Sequence, residues 1–285
     1  MASLQLYRRR IKSIANTRQI TKAMELVAAS KMRRAQQQTL RSRPYASVTD
    51  QFLNILSRVT QPTDHPLLQQ RNIERALMVV ITSDRGLAGI YNNQLMKKVV
   101  EFTGENRIIF EYITIGKKGQ DFFARTGKTM VATFTKFSDH PAITDIRPIA
   151  TLVSDEFIKG NYQAIYIAYT DFVSMIKQNP MIAQLLPIKP AEIAQENIVT
   201  KEFKFEPTKD EILEFILPRA LETMLYQKIL ESIASEHSAR MIAMKNASDN
   251  AKDIIDDLTL TYNSIRQAKI TQELAEITSA ANAVT

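Results

Sequence analysis

From Pro218 to Thr285 the chain has no Gly and no second Pro, so nothing in that stretch demands a turn. Within it Met241, Met244, Ser248, Ala251, Ile255, Leu258, Tyr262 and Ile265 are separated by alternating steps of three and four. That is the 3.5-residue period of a two-helix seam, with one polar exception at Ser248. At ~1.5 Å per residue a helix of this length spans on the order of 100 Å, several times the width of a compact domain. Such a helix cannot bury itself in its own domain. It needs a partner helix for its seam, and its far end projects into something else.

The N-terminal stretch offers that partner. Residues 3–59 read as helix without a single Gly. Leu4, Tyr7, Ile11 and Ile14 form one apolar seam, which resumes at Ile20, Met24, Val27 and Ala28. A further run follows Pro44 at Tyr45, Val48, Phe52, Ile55 and Val59, with the helix expected to kink or break near Ser42. The two ends of the chain are thus expected to meet as an antiparallel coiled coil. Pairing between two chains satisfies the same pattern.

All seven Gly lie between Gly86 and Gly160, which confines backbone freedom to one central region. There Ala76 to Ile81, Ile108 to Ile115, Thr129 to Phe134 and Gln163 to Thr170 read as strands. Asn93 to Phe102, Lys118 to Arg125 and Ile143 to Ile158 read as helices between them. The alternation predicts a Rossmann-like, mainly parallel α/β domain with helices on its faces. Phe172 to Lys177 and Met181 to Pro187, split at Gln178-Asn179-Pro180, suggest an edge hairpin. Thr208 to Glu211 has the spacing of a capping box, and Pro218 either breaks the last helical region or opens a fresh helix. Three segments result: an N-terminal helix over 1–60, an α/β domain over 61–207 and a C-terminal helix over 208–285.

Charge narrows the possible partners. Residues 1–60 hold 12 Lys and Arg against only Glu25 and Asp50, a balance of +10 in a chain whose net charge is +7. The excess therefore sits entirely in the first fifth, which expects an anionic partner: nucleic acid, lipid headgroups or an acidic protein surface. The basic run Lys31, Arg33, Arg34, Arg41 and Arg43 has no interleaved aromatics, which weakens the nucleic-acid reading. The apolar runs are too short to span a bilayer, and Met1 to Lys12 lacks the apolar core of a secretory signal. With no Cys there is no disulfide, thiolate nucleophile or Cys-ligated metal.

Catalytic signals are weak throughout. Thr82 to Gly89 follows the first strand, where doubly wound proteins bind phosphates, but it is neither GxGxxG nor a P-loop. A turn tying the strand to its helix fits better. His65, His140 and His237 share no metal-ligand spacing and read as surface or seam residues. The carboxylate pairs Asp256-Asp257 and Glu273-Glu276 lie on a long helix with no implied pocket, so they read as a solvated face. Met24, Met32, Met241 and Met244 suit seam packing. The last residues, from Ile277 to Thr285, carry no charge: either a frayed tail or a smooth helix end inside a protein sleeve.

Three blocks together resemble the gamma subunit of F-type ATP synthases. The first runs from Ile20 to Arg34, with Ser42-Arg43-Pro44-Tyr45 following. The second is Ser83 to Gly89 with Asn92-Asn93. The third comprises Ser235-Glu236, Ala239 to Lys245, Ala247 to Asn250 and Arg266 to Ile277. Two positions depart from the family pattern. Ala280-Ala281 stands where a Gly-Ala pair is usual, and Ile90-Tyr91 follows Gly89 where a second Gly and Phe or Leu are common. The paired-Cys insertion of chloroplast relatives is absent, which favours a bacterial-type subunit.

The resemblance implies a central rotor shaft that couples ion flow through a membrane ring to ATP synthesis or hydrolysis on surrounding alpha and beta subunits. It implies no catalysis, cofactor or metal on this chain. Partners would be the alpha and beta subunits, the epsilon subunit and the membrane c-ring, with one copy per complex and no nucleic acid. The location would be the cytoplasmic face of the bacterial inner membrane, or the matrix face of the mitochondrial one. The partner-binding residues it implies are a collar of Lys22, Lys31, Arg33 and Arg34 near Met24, together with Arg240, Arg266, Gln267, Thr271 and Glu273. From the residues alone, a basic coiled-coil nucleic-acid-binding protein and an α/β enzyme using the Ser83–Gly89 loop remain competing classes.

Overall fold

The computed structural model describes residues 4–106, 108–188 and 208–284, with side chains at 50, 54–59, 280, 281, 283 and 284 outside the description. In chain order the elements are α1 (Leu4–Val59), β1 (Arg75–Ile81), α2 (Tyr91–Glu105), β2 (Ile109–Ile115), α3 (Lys117–Arg125), β3 (Met130–Phe134), α4 (Ile143–Ile158), β4 (Ala164–Phe172), β5 (Gln178–Leu186) and α5 (Lys209–Val284). A short 3-10 turn at Pro66–Leu68 is capped by His65, whose Nδ1 accepts from Leu67 N at 3.1 Å. The chain divides into two compact units, Met1–Ala28 with Arg240–Thr285, and Ala29–Ala239.

The first unit is the antiparallel two-helix coiled coil of the chain's two ends. Along α5, Met244, Ser248 and Ala251 are buried, and Met241, Ile255, Leu258, Tyr262 and Ile265 are half-buried, so the seam lies where its period put it. Along α1, Leu4, Tyr7, Ile11, Ile14, Thr21 and Met24 are half-buried and Ala28 is buried. Ile20 and Val27 do not join them: they are 60% and 55% exposed. The heptad continues through Thr21 and Glu25 instead, because position in the 3.5-residue frame decides which residue faces the partner, not apolarity alone.

The same frame continues in the part of α1 that belongs to the second unit. Met32, Ala35, Thr39 and Leu53 are buried, and Ser42, Ala46 and Thr49 are half-buried. Tyr45 and Val48, expected in the seam, are 59% and 62% exposed; Ile55 and Val59 lie outside the described side chains. Pro44 interrupts nothing. It sits inside α1 on the exposed face, removing only the bond its own N–H would have made. Pro218 likewise lies within an unbroken α5, which begins at Lys209 with Glu211 N donating to the Thr208 hydroxyl at 3.4 Å. In both cases packing along many turns outweighs one missing bond of about 3 kcal/mol.

The α/β domain has the sheet order β3-β2-β1-β4-β5. The first four strands are parallel and β5 runs antiparallel to β4, so β1 and β4 meet at the point where the strand order reverses. The hairpin is at the edge as expected, but its turn is residues 173–177 and Gln178-Asn179-Pro180 opens β5. Pro180 is tolerated there because an edge strand has one side without ladder bonds. β1 is buried from Ala76 to Ile81, the signature of a strand covered on both faces. Met78, Val80, Leu95, Met96, Val99, Tyr112 and Phe123 form the core under α2 and α3.

Between Ile229 and Ser235 α5 is buried on every side. Three serines spaced by three residues join it to the end of β4 and the hairpin. Ser232 Oγ accepts from Thr170 N at 3.1 Å, Ser235 Oγ donates to Thr170 O at 3.1 Å, and Ser238 Oγ donates to Met175 O at 2.5 Å. On the other flank Ser42 Oγ donates to Gln227 Oε1 at 2.7 Å, while Lys31 and His237 share one partner, Asp139. Positions rise along α1 as they fall along α5, which is antiparallel packing. By the same register Ile14 is expected opposite Ile255. We expect Cys at Ile14 to form an intrachain disulfide with Cys at Ala251 or Ile255, with no native Cys to interfere. Non-reducing electrophoresis reads the result, and exclusively cross-chain dimers would contradict it.

Candidate functional site

The segment Thr82–Gly89 occupies the phosphate-binding position of a doubly wound fold, yet its polar groups are turned onto the protein. Thr82 Oγ1 donates towards Ile115 O and Gly116 O, at 3.1 and 3.2 Å, and accepts from Gly119 N at 2.8 Å. Ser83 N donates to Asn92 Oδ1 at 3.1 Å, and Asn92 Nδ2 returns a bond to Ser83 Oγ at 2.7 Å. Asp84 accepts from Lys117 N at 2.9 Å and from Phe137 N at 3.0 Å, one oxygen to each. The segment is a knot tying β1, α2, α3 and the loop after β3. The Thr82 and Asp84 side-chain oxygens face backbone donors, and Ser83 Oγ donates to Arg85 O at 2.7 Å.

Of the residues expected to meet partners, most lie exposed on the helices of each unit, while Met24, Lys31 and Arg240 are partly or fully buried. In the coiled-coil unit Lys22 is exposed and lies 3.0 Å from Glu25, one turn along. Met24 is half-buried and Arg240 is buried, so the latter's stem is part of the packing. Arg266, Gln267, Thr271 and Glu273 are exposed, off the seam. Glu273 sits 3.5 Å from Lys269, and the Thr271 hydroxyl donates to Gln267 O at 3.0 Å, leaving the Gln267 amide side chain at the surface. Exposed pairs of this kind add at most about 0.5 kcal/mol, so these side chains are not what holds the helix together.

In the second unit Arg33 and Arg34 are exposed beside the buried Met32 and Ala35. Lys31 is different: its Nζ lies 2.6 Å from Asp139 Oδ2, inside the chain. His237, read from sequence as a surface or seam residue, is buried, with Nε2 3.0 Å from Asp139 Oδ1. Burial works to raise the Asp139 carboxyl, but Lys31 and His237 outweigh it and hold the group below its ordinary value. Asp139 escaped the sequence reading because its partners are distant in the chain and a lone Asp in a loop carries no periodic signal. The serine stitch of α5 was detectable as Ser232, Ser235 and Ser238 spaced by three on one helix.

Among the described residues no group of His, Asp and Glu is arranged to hold a metal ion. No described helix is long and apolar enough to cross a membrane. The helix α5 runs to Val284, so the uncharged end is helical to that point; the Ala280-Ala281 side chains lie outside the description.

The ATP synthase family model matches residues 3–284. Among curated relatives, the ATP synthase gamma chain of Roseiflexus castenholzii is 45% identical over 292 residues, covering 100% of this chain and 99% of its own. The gamma chain of Dehalococcoides mccartyi is 41% identical over 287 residues, with 100% of both chains covered. Among solved structures, a chain of the Tetrahymena thermophila mitochondrial ATP synthase central stalk and c-ring aligns at TM-score 0.63 and 26% identity. The alignment covers 80% of this chain and 99% of that one. A chain of the Euglena gracilis mitochondrial enzyme shares the fold at TM-score 0.68 and 20% identity, over 99% and 94% of the two chains. With the terminal coiled coil, the α/β domain and an end-to-end match at this identity, the chain belongs to the ATP synthase gamma chain family.

Proposed function

We propose that this chain is the central rotating shaft of an F-type ATP synthase, coupling ion flow through a membrane ring to ATP synthesis or hydrolysis on the surrounding alpha and beta subunits. The observation that carries the reading is the end-to-end match to gamma chains, joined to a coiled coil built from both chain ends. In this reading residues 1–60 and 208–285 are the shaft and 61–207 the foot, held with the epsilon subunit and resting on the c-ring. The chain is peripheral to the membrane, on the cytoplasmic face in a bacterium. Lys22, Lys31, Arg33 and Arg34, near Met24, form the collar towards the ring, and Arg240, Arg266, Gln267, Thr271 and Glu273 the contacts along α5. An uncharged helix end suits a bearing, because deep electrostatic wells at particular angles would brake rotation.

Co-purification tests the reading. A tagged chain expressed in its own cell brings down the ATPase alpha and beta subunits in a salt-stable complex; their absence would overturn it. The chemistry is assigned to those subunits. The isolated chain is accordingly expected to hydrolyse no ATP and to give no stoichiometric micromolar heat with Mg-ATP in calorimetry, since the segment has no phosphate-loop Lys and its Thr82 and Asp84 oxygens are engaged by backbone donors. Stoichiometric binding in that experiment would reinstate the enzyme reading.

A further inference from the structure

We propose that the loop joining β3 to α4, residues 135–142, is a clasp that holds the α/β domain rigid against α1 and α5 under rotational load. Asp139 is its hub, and Lys31 and His237 are its positioning residues. The inference rests on the shaft reading and goes beyond it, because it names where the load would be carried. Each helix sends side chains to the loop at two places. Asp139 receives Lys31 of α1 at 2.6 Å through Oδ2 and stands 3.0 Å from His237 of α5 through Oδ1. Two residues on, Pro141 O accepts from Gln38 Nε2 of α1 at 2.9 Å and from the Tyr226 hydroxyl of α5 at 3.3 Å. Gln38 Nε2 also lies 2.9 Å from the Tyr226 hydroxyl, so the two helices are joined through the same point.

The loop is fixed from its other side as well. Phe137 N is bound by Asp84, and Lys136 is held at φ 60°, a left-handed conformation that a non-Gly residue keeps only where its surroundings impose it. Just beyond, Arg147 of α4 reaches Glu222 of α5 at 3.3 Å. These bonds have a mechanical meaning that the apolar seam lacks. Apolar burial is non-directional, so a seam resists separation far better than sliding or twisting. The Lys31–Asp139 hydrogen bond loses strength steeply with angle, and with the His237 ring 3.0 Å from its other oxygen the carboxylate is flanked from both helices. Lys31, which the resemblance to gamma subunits assigns to the ring-facing collar, is on this geometry also the clasp's cation.

The test uses the assembled complex with its catalytic subunits fixed to a surface and a probe on Cys substituted for the exposed Lys128. With rotation stalled, the angular variance of the probe reports the stiffness between ring and foot. Asp139→Asn and Lys31→Met are each expected to raise that variance severalfold, and Asp139→Asn to leave ATP hydrolysis near the parent level. The exchanged pair Lys31→Glu with Asp139→Lys is expected to recover part of the lost stiffness, since it restores the α1 ion pair and not the carboxylate facing His237. Unchanged variance in both single variants, or an exchanged pair no stiffer than they are, overturns the clasp. If Asp139→Asn fails to assemble, Lys31→Met decides, since it keeps the stem and removes only the charge. A parent complex whose probe never turns with ATP would instead sink the shaft reading itself.

Discussion

Changing Arg266 and Gln267 together to Ala is expected to lower steady ATP hydrolysis and coupled synthesis by about tenfold or more, with assembly near normal. Both side chains are exposed on α5 and lie off the seam that ends at Ile265, so neither contributes to coiled-coil packing. Arg offers a planar fork of donors and Gln a donor and an acceptor, which suits them to latch an acidic or amide-bearing loop once per turn. A latch in a partly buried interface contributes about 1–3 kcal/mol. If it helps time the opening of a catalytic site, losing even one such bond lifts that barrier by about 1.4 kcal/mol, a factor of ten in rate. Arg266→Lys should recover only part of the loss, because it restores charge without the fork. Gel filtration of the complex, with ATPase and proton-pumping assays in membranes, reads the outcome. Normal pumping would make these side chains passive surface, and failed assembly would place them in the structural core.

Replacing Gly116 by Ala is expected to destabilise the α/β domain by about 3 kcal/mol or more. Gly116 stands between β2 and α3 at φ 99° and ψ 142°, a region open in practice only to Gly. A Cβ there would lie 2.1 Å from Thr82 O and 2.8 Å from Thr82 Oγ1. Neither can withdraw. The first is backbone at the end of β1, and the second receives Gly119 N at 2.8 Å. The strain therefore enters the knot that also holds Asp84 and the clasp loop. A loss of that size lowers the midpoint of thermal unfolding by roughly 10 °C in a domain of this length. Gly104→Ala is the control, since a Cβ at that helical position meets nothing within 4 Å. It should be neutral or stabilising by up to about 1 kcal/mol. Calorimetric melting of the two variants beside the parent makes the comparison, and equal melting points would show that β1 and α3 yield at little cost.

How much of this was legible beforehand varies with the range of the interaction. The period of Met241 to Ile265 is a local property of the chain, and so is the confinement of Gly to the centre. Helix pairing and an α/β domain follow from such patterns by geometry alone, and both are present. The resemblance to gamma chains was equally a property of the residues in order.

What the sequence could not decide is which face of a long helix meets its neighbour when apolar residues lie on several. Ile20, Val27, Tyr45 and Val48 are as hydrophobic as any seam residue, yet they point outward. The inward face of α1 carries Ala28, Ala35, Thr39 and Ser42, small residues that suit a close approach to α5. Nor could it show that Pro44 and Pro218 would be carried through, because the compensating contacts belong to other parts of the chain. The grip on Asp139 is the extreme case. Its partner Lys31 is 108 residues away, and no local pattern records a bond that exists only once three distant segments have folded together.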